Sequence, residues 1–325
     1  MNTPLLHVEH LSKSFTASTD LFGRVSARVL AVQDVSFDLE RGETLGLVGE
    51  SGCGKSTLGR CLVRLLEPTS GRLLFKGEDI TTCKGARLRA LRRQIQIVFQ
   101  DPYAMLNPRM TVGELLTEPL IVHGILDSAG DRRDRAKQLL ETVGLRPEGL
   151  ERHPHEFSGG QRQRIGIARA LAVEPELLIC DEAVSALDVS IQAQILNLLM
   201  DLQQKLELTY VFIAHDLKVV ERVSTRVAVM YLGNIVELAE SRELYANPRH
   251  PYTQALLSAI PIPDPSHRAT RIPLKGDVPS PLNPPSGCHF HPRCPQAIDE
   301  CARTVPRLEV KRPEHLAACL RVAPE

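Results

Sequence analysis

Nine consecutive residues, Gly49, Glu50, Ser51, Gly52, Cys53, Gly54, Lys55, Ser56 and Thr57, concentrate more potential chemistry than any other stretch of this 325-residue chain. They fit G-x-x-x-x-G-K-[ST], in which glycines let the backbone close around an anion so that successive N–H groups point at a phosphate. Lys55 would reach the β- and γ-phosphates as a point charge, Ser56 would offer its hydroxyl to Mg²⁺, and Thr57 would donate to the α-phosphate. A helix starting near Lys55 would add the positive end of its dipole. The pattern predicts a triphosphate site. Asp181 and Glu182, closing the apolar run at 177–180, are a second candidate. Beside a phosphate loop, the first carboxylate would join the Mg²⁺ shell and the second would lie near the water that attacks the γ-phosphate. Cys288, Cys294, Cys301 and Cys319 are a third, spaced C-x5-C-x6-C-x17-C. Four thiolates suit an iron–sulfur cluster or a tetrahedral zinc, and His289 and His291 keep a mixed zinc site open. Either group would staple a Pro-rich segment too small to bury a core of its own.

The elements that must hold these residues are legible as short apolar runs alternating with amphipathic stretches from residue 44 to about 240, the pattern of βαβ units. Residues 44–48 predict a buried strand running into the glycine loop, and residues 56–66 a helix stopped by Glu67 and Pro68. Further strands are expected at 95–99, 177–180, 210–213 and 227–231, and residues 111–172 read mostly as helix. The stretch 18–28 reads as a loop between two edge strands. Fifteen of the 23 prolines lie from Pro248 onward, which predicts a boundary between a domain at 1–247 and a second at 248–325. Lys plus Arg and Asp plus Glu both number 39, so no basic field is available to hold nucleic acid or an anionic membrane. Residues 1–8 lack the features of a signal peptide, and no run approaches the roughly 20 apolar residues of a membrane span, so a cytoplasmic protein is expected. Cys61, Cys83 and Cys180 read as small hydrophobes, and Cys53 as a thiol with no separate chemistry.

Phe157, Ser158, Gly159, Gly160, Gln161 and Arg162, about 20 residues before Asp181, resemble the signature sequence of ABC ATPases, with Phe157 where that family usually has Leu. Ser158 can cap a helix at 159–173, and the two glycines can close on a phosphate. Other parts of the family pattern follow in order: Gln100 matches the Q-loop, residues 185–188 ending in Asp188 match the D-loop, and His215 matches the switch histidine. Phe15 resembles the aromatic that stacks on adenine. Ala183 departs from the pattern, where relatives usually have proline.

The resemblance covers residues 5 to about 245. It implies an α/β P-loop fold with a RecA-like core, an antiparallel β subdomain and a helical subdomain at about 101–172, followed by the small Pro/Cys-rich C-terminal domain. It also implies an ATPase acting as a head-to-tail dimer, in which Ser158 and Gly160, with Gln161 beside them, complete the ATP site on the other chain. Glu182 would polarise the attacking water, Lys55 and His215 would stabilise the transferring phosphoryl, and Ser56, Gln100 and Asp181 would hold Mg²⁺.

Residues 99–110, 250–257 and 279–295 look like the subfamily that powers peptide importers, and 184–194 look closest to the second of its two ATPase subunits. The implied partners are a paralogous ATPase in a heterodimer, or a second copy in a homodimer, together with two membrane-spanning permeases and an extracytoplasmic solute-binding protein. The implied place is the cytoplasmic face of the membrane. Related tails carry a [4Fe–4S] cluster, which favours iron–sulfur over zinc. Nickel and other small-solute importers share this tail and remain an alternative cargo class. Soluble ABC ATPases acting on nucleic acid or ribosomes are disfavoured by the single ATPase unit, the lack of a heptad arm and the balanced charge.

Overall fold

The computed structural model describes residues 3–19, 25–101, 105–260 and 271–325. Along the chain come β1 (Leu6–Thr19), β2 (Val25–Leu39), β3 (Thr44–Val48), α1 (Lys55–Leu62), β4 (Ser70–Phe75), β5 (Glu78–Asp79), α2 (Gly85–Gln94) and β6 (Ile95–Val98). Three helices follow, α3 (Val112–Val122), α4 (Ala129–Thr142) and α5 (Gly159–Leu171), then β7 (Leu177–Asp181), α6 (Val189–Leu206) and β8 (Thr209–Ile213). The remainder is α7 (Leu217–Val223), β9 (Arg226–Tyr231), β10 (Asn234–Glu240), α8 (Ser241–Ala246), α9 (Pro251–Ser258), β11 (Glu309–Arg312) and β12 (His315–Ala317).

These elements gather into two compact units, residues 1–81 with 214–325 and residues 82–213. In the first, β2, β1, β4 and β5 form an antiparallel sheet in that order. β1 and β2 pair from Leu6 opposite Leu39 to Thr19 opposite Val25, with several register shifts. The stretch at 18–28 is therefore largely strand rather than loop, and its centre, 20–24, lies outside the described residues. Thr19 and Val25, at its described ends, are β-favouring residue types, a tendency that the loop-like composition conceals. A second group of strands in this unit pairs β3 parallel to β9, β9 antiparallel to β10, and β10 antiparallel to β12. All five residues of β3 are buried, as expected for a parallel strand covered on both faces. α1 is shorter than its apolar period suggests. Arg64 turns left-handed at φ 55°, and the N–H groups of Leu65 and Leu66 both close onto the Arg60 carbonyl, ending the helix before Pro68 is reached.

The C-terminal region belongs to this same unit. Proline at the first turn of α9 is compatible with a helix start, and β12 supplies a short partner to β10 with Glu237 opposite Ala317. The Glu237 side chain, fully buried, accepts the N–H groups of Arg249 (2.6 Å) and His250 (3.0 Å) and contacts His315 Nε2 at 2.7 Å. One carboxylate thus ties the chain beyond 247 to β10 and β12.

In the second unit β6, β7 and β8 are parallel, Ile95 opposite Leu177 and Leu177 opposite Thr209. Residues 112–171 are helical apart from turns: α3 starts on a Thr111–Glu114 capping box, α4 on Ser128 and α5 on Ser158.

Candidate nucleotide-binding site

The loop after β3 is shaped by close backbone approaches that only glycine permits. Gly49 has φ +149°, and a Cβ there would lie 2.1 Å from the Met230 carbonyl oxygen. Gly54 has φ +107°, and its Cβ would lie 2.0 Å from the Ala31 carbonyl oxygen. The loop is therefore pressed between the end of β9 and the middle of β2. The Gly233 N–H, in the β9–β10 turn, also donates to the Cys53 carbonyl (2.9 Å). Gly54 is the N-cap of α1, and no side chain caps that end.

Lys55 is only 4% exposed, and its ammonium donates to the carbonyls of Gly49 (2.7 Å) and Glu50 (3.0 Å). The buried ammonium is thus held by carbonyl oxygens of its own loop, which fixes its position there. Ser56 and Thr57 follow, half-buried, on the first turn of α1. Burial pushes the Cys53 thiol up, and Lys55 only partly offsets this, so the thiol stays protonated.

Gly54→Ala is expected to weaken Mg-ATP binding at least about tenfold, since left-handed backbone costs an ordinary residue about 1–2 kcal/mol before any overlap with Ala31. Gly52 has a positive φ too, but its Cβ would meet nothing within 4 Å. Calorimetric titration of both variants with Mg-ATP should therefore show the smaller loss for Gly52→Ala.

The remaining candidates divide between the units. Phe15, 38% exposed on β1 with the Lys13 ammonium 5.1 Å from its ring centre, and exposed His215 lie in the unit that carries the loop. Gln100, Ser158, Gly160, Gln161, Asp181, Glu182 and Asp188 lie in the other. Asp181 ends β7 with 4% exposure. Glu182 follows in a left-handed conformation, φ 50°, its N–H donating to the Ile213 carbonyl (2.9 Å). The N–H (3.1 Å) and hydroxyl (2.9 Å) of Ser185 donate back to the Glu182 carbonyl. A non-glycine residue held left-handed is strained, and here the strain falls on the proposed water-polarising acid. Exposed Gln100 sits two residues past β6, and Asp188 is the exposed N-cap of α6 with no side-chain capping bond.

Ser158 caps α5 in a full capping box: its hydroxyl accepts the Gln161 N–H (3.4 Å), and the Gln161 side chain accepts the Ser158 N–H (2.9 Å). Gly160 has a packing role that the motif does not reveal, because a Cβ there would lie 2.4 Å from Ile191 Cγ2 on α6. Buried Arg162 donates to the Pro154 (2.7 Å) and His155 (3.1 Å) carbonyls, holding the turn that leads into Ser158.

Comparison with known proteins agrees with this geometry. Residues 32–185 match the ABC transporter family, and residues 236–301 match the oligopeptide/dipeptide transporter C-terminal region. A putative peptide import ATP-binding protein of Brucella ovis is 56% identical over 319 residues, covering 98% of both chains. The chain belongs to the ATP-binding proteins of ABC transporters. The oligopeptide transport ATP-binding protein AppF of Bacillus subtilis is 53% identical, covering 97% of this chain and 96% of AppF. Among solved structures, an ATP-binding cassette captured as a dimer after hydrolysis, with ADP and Pi, superposes with a TM-score of 0.65 at 28% identity. That match covers 73% of this chain and 99% of the cassette. No helix among the described residues of this ABC protein is long and apolar enough to cross a membrane.

The C-terminal region of this ABC transporter subunit places all four clustered cysteines, Cys288, Cys294, Cys301 and Cys319, around one small cavity that His250 and Phe290 also line. The Cys288 N–H donates to the Cys301 carbonyl (2.8 Å). Burial, reinforced by the neighbouring thiols, pushes Cys288 up to about 11, and burial raises Cys294 and Cys319 as well. Four thiolates would need a cationic centre among them, so the donor set fits a sulfur-ligated group. Among the described residues, however, no three His, Cys, Asp or Glu side chains are already gathered as closely as a single metal ion requires. His289 Nδ1 is hydrogen-bonded to Asn234 (3.0 Å) and is absent from the cavity wall, whereas His291 lies on it. Burial raises Cys61 to about 11 and Cys180 to about 12, as suits packed thiols.

Proposed function

We propose that this chain hydrolyses ATP to power an ABC importer of di- and oligopeptides, with catalytic roles as its motifs assign them. The observation that carries the reading is one compact unit containing both a glycine-shaped phosphate loop with a buried lysine and a peptide-transporter C-terminal region. In the proposed reaction the Glu182 carboxylate accepts a hydrogen bond from the attacking water, whose oxygen bonds to the γ-phosphorus as the bond to the ADP oxygen breaks, and the water proton passes by way of Glu182 to the released phosphate. Lys55 and His215 stabilise charge on the γ-phosphate, Thr57 holds the α-phosphate, and Phe15 stacks on adenine. Mg²⁺, assigned to Ser56, Gln100 and Asp181, neutralises phosphate charge when bound.

Ser158, Gly160, Gln161 and Asp188 act across a head-to-tail dimer, a reading supported by the dimeric form of the related cassette. A paralogous ATPase is the proposed second half, two permeases and a solute-binding protein complete the system, and the subunit sits peripherally on the cytoplasmic face. The names of the full-length relatives support a peptide cargo. The four cysteines hold a [4Fe–4S] cluster in a structural or redox-sensing role, supported by their shared cavity. Zinc is the competing occupant.

Two measurements test this reading. Proteoliposomes containing the permeases, the paralogue and this chain should take up labelled peptide only with ATP and the binding protein, and uptake without this chain would refute the transport role. Anaerobically purified protein should contain iron and acid-labile sulfide in equal amounts, and zinc alone, or none of the three, would remove the cluster.

A further inference from the structure

Glu50 places an acid inside a loop built to hold phosphates, and its surroundings show how that charge is managed. The Arg293 guanidinium grips the Glu50 carboxylate with both ends, Nη1 to Oε2 at 2.7 Å and Nη2 to Oε1 at 3.1 Å. The arginine side chain is 7% exposed and that of Glu50 25%, so little water screens the pair. Arg293 Nη1 also lies 3.4 Å from the Tyr231 hydroxyl at the end of β9. The Glu50 backbone is anchored as well: its N–H donates to the hydroxyl of fully buried Tyr252 on α9 (2.9 Å). Tyr252, Tyr231 and Phe290 pack with ring centres 4.7–5.3 Å apart. Both anchors come from residues more than 200 positions downstream, and Arg293 immediately precedes Cys294 in the cysteine cavity.

We propose that Arg293, with Tyr252, is a positioning residue for the phosphate-binding loop, so that the cysteine-bearing C-terminal segment sets the affinity of the site for ATP. The inference rests on the assignment of residues 49–57 as the ATP loop. The arginine does two things through one contact: it neutralises a carboxylate that would repel incoming phosphates, and it fixes the residue whose carbonyl orients Lys55. Any rearrangement of the turn holding Arg293 and Cys294 would reach the loop through this side chain.

The test is calorimetric titration of the purified full chain with Mg-ATP, paired with its thermal midpoint. Arg293→Met should weaken binding about tenfold, within the range of coupled neighbouring sites. Adding Glu50→Gln to that variant should recover most of the loss, because the unpaired carboxylate, not the missing arginine, then opposes the phosphates. Arg293→Lys keeps the charge but loses the two-pronged grip, and its affinity should fall between wild type and Arg293→Met. A lowered thermal midpoint with unchanged affinity in both Arg293 variants would overturn the proposal, as would a double variant no better than Arg293→Met. Failure of the wild-type chain itself to bind Mg-ATP would instead overturn the nucleotide assignment and take this inference with it.

Discussion

Glu182→Gln is expected to lower ATP turnover at least about a hundredfold while leaving ATP binding intact, the range in which loss of a positioned general base or water-polarising group falls. The substitution is nearly isosteric, and two of the bonds that hold residue 182 use its backbone. Its N–H donates to Ile213, and its carbonyl accepts from Ser185, so neither depends on the carboxylate. The left-handed φ of 50° is imposed by those bonds and should survive in the glutamine variant. What would be lost is the negative oxygen proposed to accept the hydrogen bond of the attacking water. ATP would then bind, close the dimer and fail to leave. Phosphate release and size-exclusion chromatography in the presence of ATP measure the two halves of this expectation. Undiminished turnover would remove Glu182 from the mechanism.

Lys55→Met should abolish useful nucleotide binding, weakening Mg-ATP affinity by about a hundredfold, because a charged hydrogen bond to phosphate is worth about 1.5–3 kcal/mol. Methionine keeps the aliphatic stem that fills this buried position, so the loss would report the ammonium rather than packing. Without ligand, the variant leaves the carbonyls of Gly49 and Glu50 without the donor they have in the native loop. A stability loss of about 1 kcal/mol is therefore expected alongside the affinity loss. The two effects separate cleanly: denaturant unfolding without nucleotide reads the first, and titration with Mg-ATP reads the second. A variant that bound ATP as tightly as the native protein would show that the lysine serves only the loop's own carbonyls.

Much of the site was readable before any coordinates because its chemistry is local. A strand, a glycine turn and a helix start occur within about fifteen residues, and the motif puts glycine at 49 and 54, where the structure shows positive φ. The buried parallel strands announced themselves as short apolar runs: β3, β6, β7, β8 and β9 each fall within a residue or so of expectation. Ser158 is recognisable as a cap from its residue type at the start of the helix expected at 159–173, while the reciprocal bond from Gln161 is seen only in the structure.

Other features carry no such local mark. Proline density marks the segment from 248 onward, but its attachment is not local: a fully buried Glu237 draws residues 249–250 and His315 onto β10, and that pairing depends on positions up to 78 residues apart. The packing demand at Gly160 comes from Ile191, on another helix. The peptide-importer stretch at 99–110 was recognised in sequence, although residues 102–104 lie outside those the structure describes.

From the sequence alone came the chemistry: a triphosphate loop, an acid pair, a signature turn and four clustered cysteines, because each depends on neighbours along the chain. Only the tertiary structure decided what stands behind the loop. Glu50 meets Tyr252 and Arg293 across separations of 202 and 243 residues, and no periodicity or motif encodes such contacts. They exist because β9, β10 and β12 bring the C-terminal segment back to the end of the first parallel strands, where the part-buried Glu50 carboxylate meets the buried Arg293 guanidinium.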